Sequence, residues 1–365
     1  MKIRFVSVLI FISLFFVFSC EDEEIKGDLS HISYDPTPYL LDIPSHFPQM
    51  PIPSDNPMTQ EGVELGRHLF FDPILSVDST VSCSSCHDPA LSFTDGRSAS
   101  IGVGGSRGKR NAMSLINIGF TQNDFFWDGR AKSLEKQALD PVTDPLEMNN
   151  TWENVISKLV KHPKYPQMFR EAFGISDTKE ITKELATKAI AQFERILISK
   201  DSKFDLVKQG KAQFDDFEQF GEKMFFDIDP DVPDAECSHC HNTPFATSDD
   251  YFNNGLFPAT SLQDFPDLGR GKVTGNLLDN GKFKATTLRN IFYTAPYMHD
   301  GSMSTFNEVI QHYATGGQTS NFKDNLINDI KKKNFSDFEI LCLTAYIKTF
   351  EDTVFINNPK FQSPF

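Results

Sequence analysis

Apolar residues recur along this chain at helical spacing. Trp152, Val155, Ile156 and Leu159 fall on one face of a 3.6-residue period, as do Leu185, Ala189, Phe193 and Ile196. Phe217, Phe220 and Met224 predict a third amphipathic helix with that face packed inward, and Phe306, Val309, Ile310 and Tyr313 predict a fourth. Start signals accompany two of the runs. Thr305 with Glu308, and Ser336 with Glu339 at the head of "SDFEILCLTAY", have the spacing of capping boxes. Period-two alternation is short and scattered. The pattern predicts a mainly α protein with long loops and little β structure.

The N-terminus follows a different rule. Two cations, Lys2 and Arg4, precede an apolar run from Phe5 to Phe18 and the pair Ser19-Cys20. That run is short for a membrane-spanning helix and has the layout of an export signal. "VFSC" resembles a bacterial lipobox, which makes 1–20 a lipoprotein signal peptide and Cys20 a lipid anchor. Residues 21–45 begin acidic and continue with turn-formers, the composition of a flexible tether. The expected location is outside the cytoplasm, on the periplasmic side or the cell surface.

Composition narrows the picture further. With 365 residues, 39% apolar and 23% charged, the chain has enough apolar material for two packed domains. The net charge is −15, and −17 once Lys2 and Arg4 leave with the signal. An acidic surface repels nucleic acid and favours a basic partner.

An internal repeat carries the chemistry. "ELGRHLFFD" (64–72) and "QFGEKMFFD" (219–227) share their glycine and their Phe-Phe-Asp ending, and each is followed by Cys-x-x-Cys-His: Cys83, Cys86 and His87, then Cys237, Cys240 and His241. Zinc ribbons place their two knuckles roughly 15–20 residues apart, whereas here about 150 separate them. A thioredoxin-like dithiol needs a βαβ setting that helical surroundings do not offer. Covalent haem c accounts for every element, because two thiols bond the porphyrin and the adjacent His reaches the iron as proximal ligand. His239, inside the second motif, reads as a bystander. A helix leading into Cys-x-x-Cys-His is the layout of a cytochrome-c-like domain, and it occurs twice. The expected division is 46–200 and 201–350, with a tail at 351–365.

"SIGVGGSRGKRNAMSLINIGF", "FFWDGRAKSLEKQALDPVTDPLEM" and "FKATTLRNIFYTAPYMHDGSMSTFNEVIQHYATGG" go beyond two haem motifs. Together they resemble the bacterial diheme cytochrome c peroxidase family, MauG-type relatives included, over roughly residues 50–350. The resemblance implies a peroxide site at the first haem, with Gln137 and Glu147 on its distal face. Heterolytic O–O cleavage needs a base that takes a proton from one oxygen and returns it to the other, and a buried carboxylate suits the task. It further implies that Trp127 lies between the haems, and that Asn111, Thr294 and Pro296 hold a calcium ion through oxygen atoms.

Two departures from the commonest pattern matter. Many members carry a blocking His sixteen residues after the first motif's His; here that place is Val103, which implies an open first haem in the resting protein. The family's distal Met position at the second haem falls on Tyr313, as in MauG-type enzymes, with Met298, Met303 and His312 as alternative ligands nearby. The function implied is reduction of hydrogen peroxide, with electrons from a small cytochrome c or copper protein entering at the second haem. MauG-like oxidation of a protein side chain and membrane-tethered electron transfer are the alternatives. A homodimer is compatible with either.

Overall fold

A computed structural model describes residues 27–329 and 334–365. The signal segment, Cys20 and the acidic start of the expected tether lie outside the described residues.

The predicted helices form where the patterns place them. In the first half lie α1 (Gln60–Phe71), α2 (Trp152–Lys161), α3 (Tyr165–Phe173) and α4 (Lys183–Arg195), of which α3 is not among the predicted helices. In the second they are α5 (Asp216–Phe226), α6 (Phe306–Ala314) and α7 (Asp337–Lys348). Both expected capping boxes are present, at Thr305/Glu308 and Ser336/Glu339, and Asp215/Glu218 forms another on α5. Each satisfies amide groups that the first helical turn leaves without partners. Among the described residues the sheet content is one antiparallel pair, β1 (Tyr251–Phe252) with β2 (Phe283–Lys284), in which Tyr251 faces Lys284. Among the described residues no helix is long and apolar enough to cross a membrane.

The repeat marks two equivalent helix crossings. Helix α1 crosses α4 at Gly66, where a Cβ atom would lie 1.9 Å from the Ala189 carbonyl oxygen. Helix α5 crosses α7 at Gly221, where it would lie 2.1 Å from the Cys342 carbonyl oxygen. The Phe-Phe pairs that follow close both crossings: Phe70 and Phe71 contact Phe193 at 5.2 and 6.0 Å, and Phe225 and Phe226 contact Tyr346 at 5.3 and 6.1 Å. A glycine permits close helix approach, and the aromatic pair fills the space beside it.

Each crossing anchors its own core. The first is built on Leu65, Leu69, Phe70, Val155, Leu159, Phe169 and Phe193, the second on Phe204, Met224, Phe225, Tyr346 and Phe350. The C-terminal tail returns to the first core, inserting Phe355 and Phe361, while Arg67 binds the carbonyls of Pro359 and Gln362.

Two sequence expectations need correction. Phe217 is not packed inward: it is half exposed in the first turn of α5, resting at 6.0 Å on the equally exposed Phe338 of α7. The buried stripe runs instead through Gly221, Met224 and Phe225, because the close approach of α7 sets which face is covered. The part of 21–45 that is described, from residue 27, is not a free tether. Leu29 is buried, its amide donates to the Ser176 carbonyl, and Arg170 donates to the Ile32 carbonyl. Extended chain docked in this way leaves no periodic signature.

Candidate functional site

Both Cys-x-x-Cys-His motifs fold into a single tight turn, over Cys83–Ser85 and Cys237–His239. Each motif histidine is tied in the same manner. His87 Nδ1 donates to the Phe93 carbonyl at 2.9 Å and His241 Nδ1 to the Ala246 carbonyl at 3.2 Å. The accepting residues occupy left-handed backbone, with φ of 62° at Phe93 and 52° at Ala246. Left-handed non-glycine residues are uncommon, and here each turns a carbonyl toward an imidazole. Burial lowers the pKa of both histidines, which favours the neutral imidazole that an iron ligand requires. These are the requirements of a proximal haem ligand.

The four motif cysteines are half-buried. None of the four is in a disulfide, and burial pushes Cys86 up to about 11 and Cys237 and Cys240 to about 12, with Cys83 also raised. His239 is exposed and paired with Glu236, outside the haem geometry.

Near the first motif the chain brings Val103 against Glu147. The Val103 amide donates to the Glu147 carbonyl at 2.8 Å, and Gly102 lets the strands touch, since a Cβ there would lie 2.1 Å from the Leu146 carbonyl oxygen. Val103 and Cys83 both pack on the first core. Burial lifts the Glu147 carboxyl to about 7, reinforced by Asp144 and Asp140 and opposed by Arg130; its charge in turn reaches Cys83 and Cys86. Arg130 is held over the Phe126 ring at 3.4 Å and pairs with Asp128 and Asp140. Gln137 is half-buried at the end of the short helix Leu134–Gln137, seated by its amide on Ser133.

In the second half a largely apolar cavity of about 190 Å³ is lined by Cys237, Cys240 and His241. Tyr313 and Met298 face the same space. Burial pushes the Tyr313 hydroxyl up to about 12. Of the alternatives to Tyr313, His312 and Met303 are engaged elsewhere, while Met298 stays beside it. His312 spends Nε2 on the Asn254 carbonyl at 2.9 Å, and Met303 is paired through its backbone with Tyr297, away from the cavity lining.

Trp127, Asn111, Thr294 and Pro296 line the cavity on the side facing the first half. Trp127 Nε1 donates to the Asn111 carbonyl at 2.8 Å, and the Lys284 amide donates to the Trp127 carbonyl at 2.9 Å. The indole is thus held within the first half, while the Trp127 backbone is tied to the second. It meets His299 edge-on at 6.4 Å, and His299 stacks on Phe283 at 3.5 Å. Asn111 Nδ2 is used by the Arg97 carbonyl at 2.6 Å, which leaves Oδ1 as its remaining donor atom toward a cation. Among the described residues no hydrogen bond engages the carbonyls of Thr294 or Pro296. An amide oxygen and two carbonyls suit a hard cation such as calcium.

Sequence reasoning missed Asn254, His299 and the network in which Arg110 binds Asp267 at 2.7 and 2.8 Å and Asp128 at 2.7 Å. "MHDG" and "WDGR" flag the loops that hold His299 and Asp128, but partners from 18 to 157 residues away carry no local signal.

Comparison with known proteins places this arrangement. The profile of the di-haem cytochrome c peroxidase family matches residues 60–213. Cytochrome c551 peroxidase of Nitrosomonas europaea is 35% identical over 303 residues, 83% of each chain. Methylamine utilization protein MauG of Methylorubrum extorquens is 35% identical over 303 residues, 82% of this chain and 81% of its own. The crystal structure of a MauG-like protein associated with microbial copper homeostasis superposes with a TM-score of 0.82 at 34% identity, covering 89% of this chain and 99% of that one. Two helix crossings, two haem-type motifs and relatives of this coverage have one common explanation: the chain belongs to the di-haem cytochrome c peroxidase family of oxidoreductases, MauG-like members included.

Proposed function

We propose that this protein reduces hydrogen peroxide to water, with peroxide handled at the haem of Cys83, Cys86 and His87 and electrons entering at that of Cys237, Cys240 and His241. When bound, the two haems supply the one-electron couples and the open iron position that peroxide reduction requires. The chain supplies the rest. The haem domains are the halves 46–200 and 201–350, attachment is covalent through the four cysteines, and Tyr313 is the distal ligand of the second haem. Glu147 takes a proton from one peroxide oxygen and returns it to the other, while Gln137 orients the substrate. Two protons and two electrons convert one peroxide to two waters. Trp127 bridges the halves for electron transfer, with Asn111, Thr294 and Pro296 binding calcium beside it. The donor is a small cytochrome c or copper protein outside the cytoplasm, and Cys20 ties the enzyme to a membrane.

The observation that carries this reading is Val103. An apolar side chain stands where a blocking imidazole would sit, bonded through its amide to Glu147, whose carboxyl titrates at about 7. The decisive experiment is turnover of peroxide with reduced cytochrome c, on the protein as isolated and after pre-reduction, alongside an EPR spectrum of the resting enzyme. Equal rates and a high-spin ferric signal are expected. Low-spin signals alone, with turnover only after pre-reduction, would refute an open resting site.

A second reading is MauG-like oxidation of a protein side chain, favoured by the combination of Val103 and Tyr313. It predicts near-zero rates with every small donor and covalent change in a protein substrate on adding peroxide.

A further inference from the structure

One carboxamide stands between the two candidate ligands of the second haem. Asn254 Nδ2 lies 3.3 Å from Met298 Sδ and 3.5 Å from Tyr313 Oη. A primary amide has two N–H groups, so a single side chain serves both acceptors. Asn254 is itself fixed. Its Oδ1 accepts the Leu256 amide at 3.3 Å, which orients the carboxamide with Nδ2 toward the cavity, and its backbone carbonyl accepts His312 Nε2 at 2.9 Å. His312 precedes Tyr313 on α6, so this bond ties Asn254 to the helix that carries Tyr313. Met298 is held in left-handed backbone, φ 72°, which presents its thioether to the same space.

We propose that Asn254 is a positioning residue that assigns Tyr313, and not Met298, to the second haem. An N–H group directed at a thioether occupies a sulfur lone pair of the kind a metal takes, and holds Met298 off the iron. The second N–H steadies the Tyr313 oxygen at the distal position. The choice matters for redox poise, because an anionic oxygen ligand favours the ferric state and a thioether the ferrous one. The inference rests on the reading of Tyr313 as ligand.

The test is made on the haem-loaded protein by absorption, EPR and spectroelectrochemical titration of Asn254→Leu and of the near-isosteric Asn254→Asp, which keeps an acceptor for Leu256 and loses both donors. Both variants are expected to show thioether ligation in place of tyrosinate, with the ferrous state favoured at least about tenfold, a rise of about 59 mV for one electron. Adding Met298→Leu to either variant restores tyrosinate. An unchanged spectrum and potential, or a lowered potential with tyrosinate retained, overturns the proposal. Tyr313→Phe separates the two readings: if it leaves the wild-type spectrum intact, Tyr313 is not the ligand. If it alters the spectrum while the Asn254 variants do not, only the role of Asn254 fails.

Discussion

Glu147 and Glu194 are both carboxylates lifted by burial, and they predict opposite kinds of pH dependence. Burial lifts Glu147 to about 7, and in the role proposed above it works as the carboxylate, so peroxide turnover should climb as pH rises through about 7 and then level. Glu147→Gln should remove that limb and cost about 10²–10⁴-fold in rate. A variant with the wild-type pH profile would end its role as base. Glu194, on α4, is fully enclosed: burial raises its carboxyl to about 8, with Glu135 adding and Arg195 opposing, and its Oε2 has no hydrogen-bond partner. The folded protein keeps a proton there that the unfolded chain releases above its ordinary 4.5. Stability therefore falls as pH climbs from 4.5 to about 8, by up to about 1.4 kcal/mol per pH unit from this group. Glu194→Gln should flatten the fall, which unfolding midpoints at acid and mildly alkaline pH will show; a variant and parent that decline in parallel would contradict it.

At the scale of elements, the two glycine crossings make a prediction whose sign is diagnostic. Gly to Ala in a helix interior ordinarily stabilises by about 1 kcal/mol. At Gly66 and Gly221 a methyl would meet a facing carbonyl at 1.9 and 2.1 Å, so each helix pair must separate. Gly66→Ala and Gly221→Ala should each destabilise by about 3 kcal/mol, measured by denaturant titration, and lower haem loading of the affected half. A stabilised variant would mean that the crossing yields cheaply. The helices themselves were legible, because capping and 3.6-residue periodicity act within a few residues. The crossings were not: the repeat displayed the glycines, but their meaning depends on α4 and α7, each more than a hundred residues downstream. Phe217 shows the same limit, since its spacing fits the buried stripe of α5 and the reach of α7 leaves it exposed.

In the whole molecule, one buried ion pair ties distant segments together. Arg289 makes two 2.7 Å bonds to Asp205 and binds the Pro244 carbonyl, while Asp205 also accepts from Ser202 and from His46. Asp352 secures the crossover between the halves by accepting from Ser199, Lys200 and Asp201. Arg289→Met leaves the Asp205 charge enclosed without its main partner and should cost about 3–5 kcal/mol in equilibrium unfolding; a loss below about 1 kcal/mol would show that the network redistributes. The sequence by itself determined the helical class, the doubled Cys-x-x-Cys-His unit and the valine at position 103, because each is written in residues a few places apart. Only the tertiary structure decided that Val103 touches Glu147, that Trp127 is clasped between Asn111 and Lys284, that Asn254 stands between Met298 and Tyr313, and that the tail closes the first core. Those contacts join segments far apart in the chain, and what brings them together is the packing of two cores around glycine crossings, a property no local window contains.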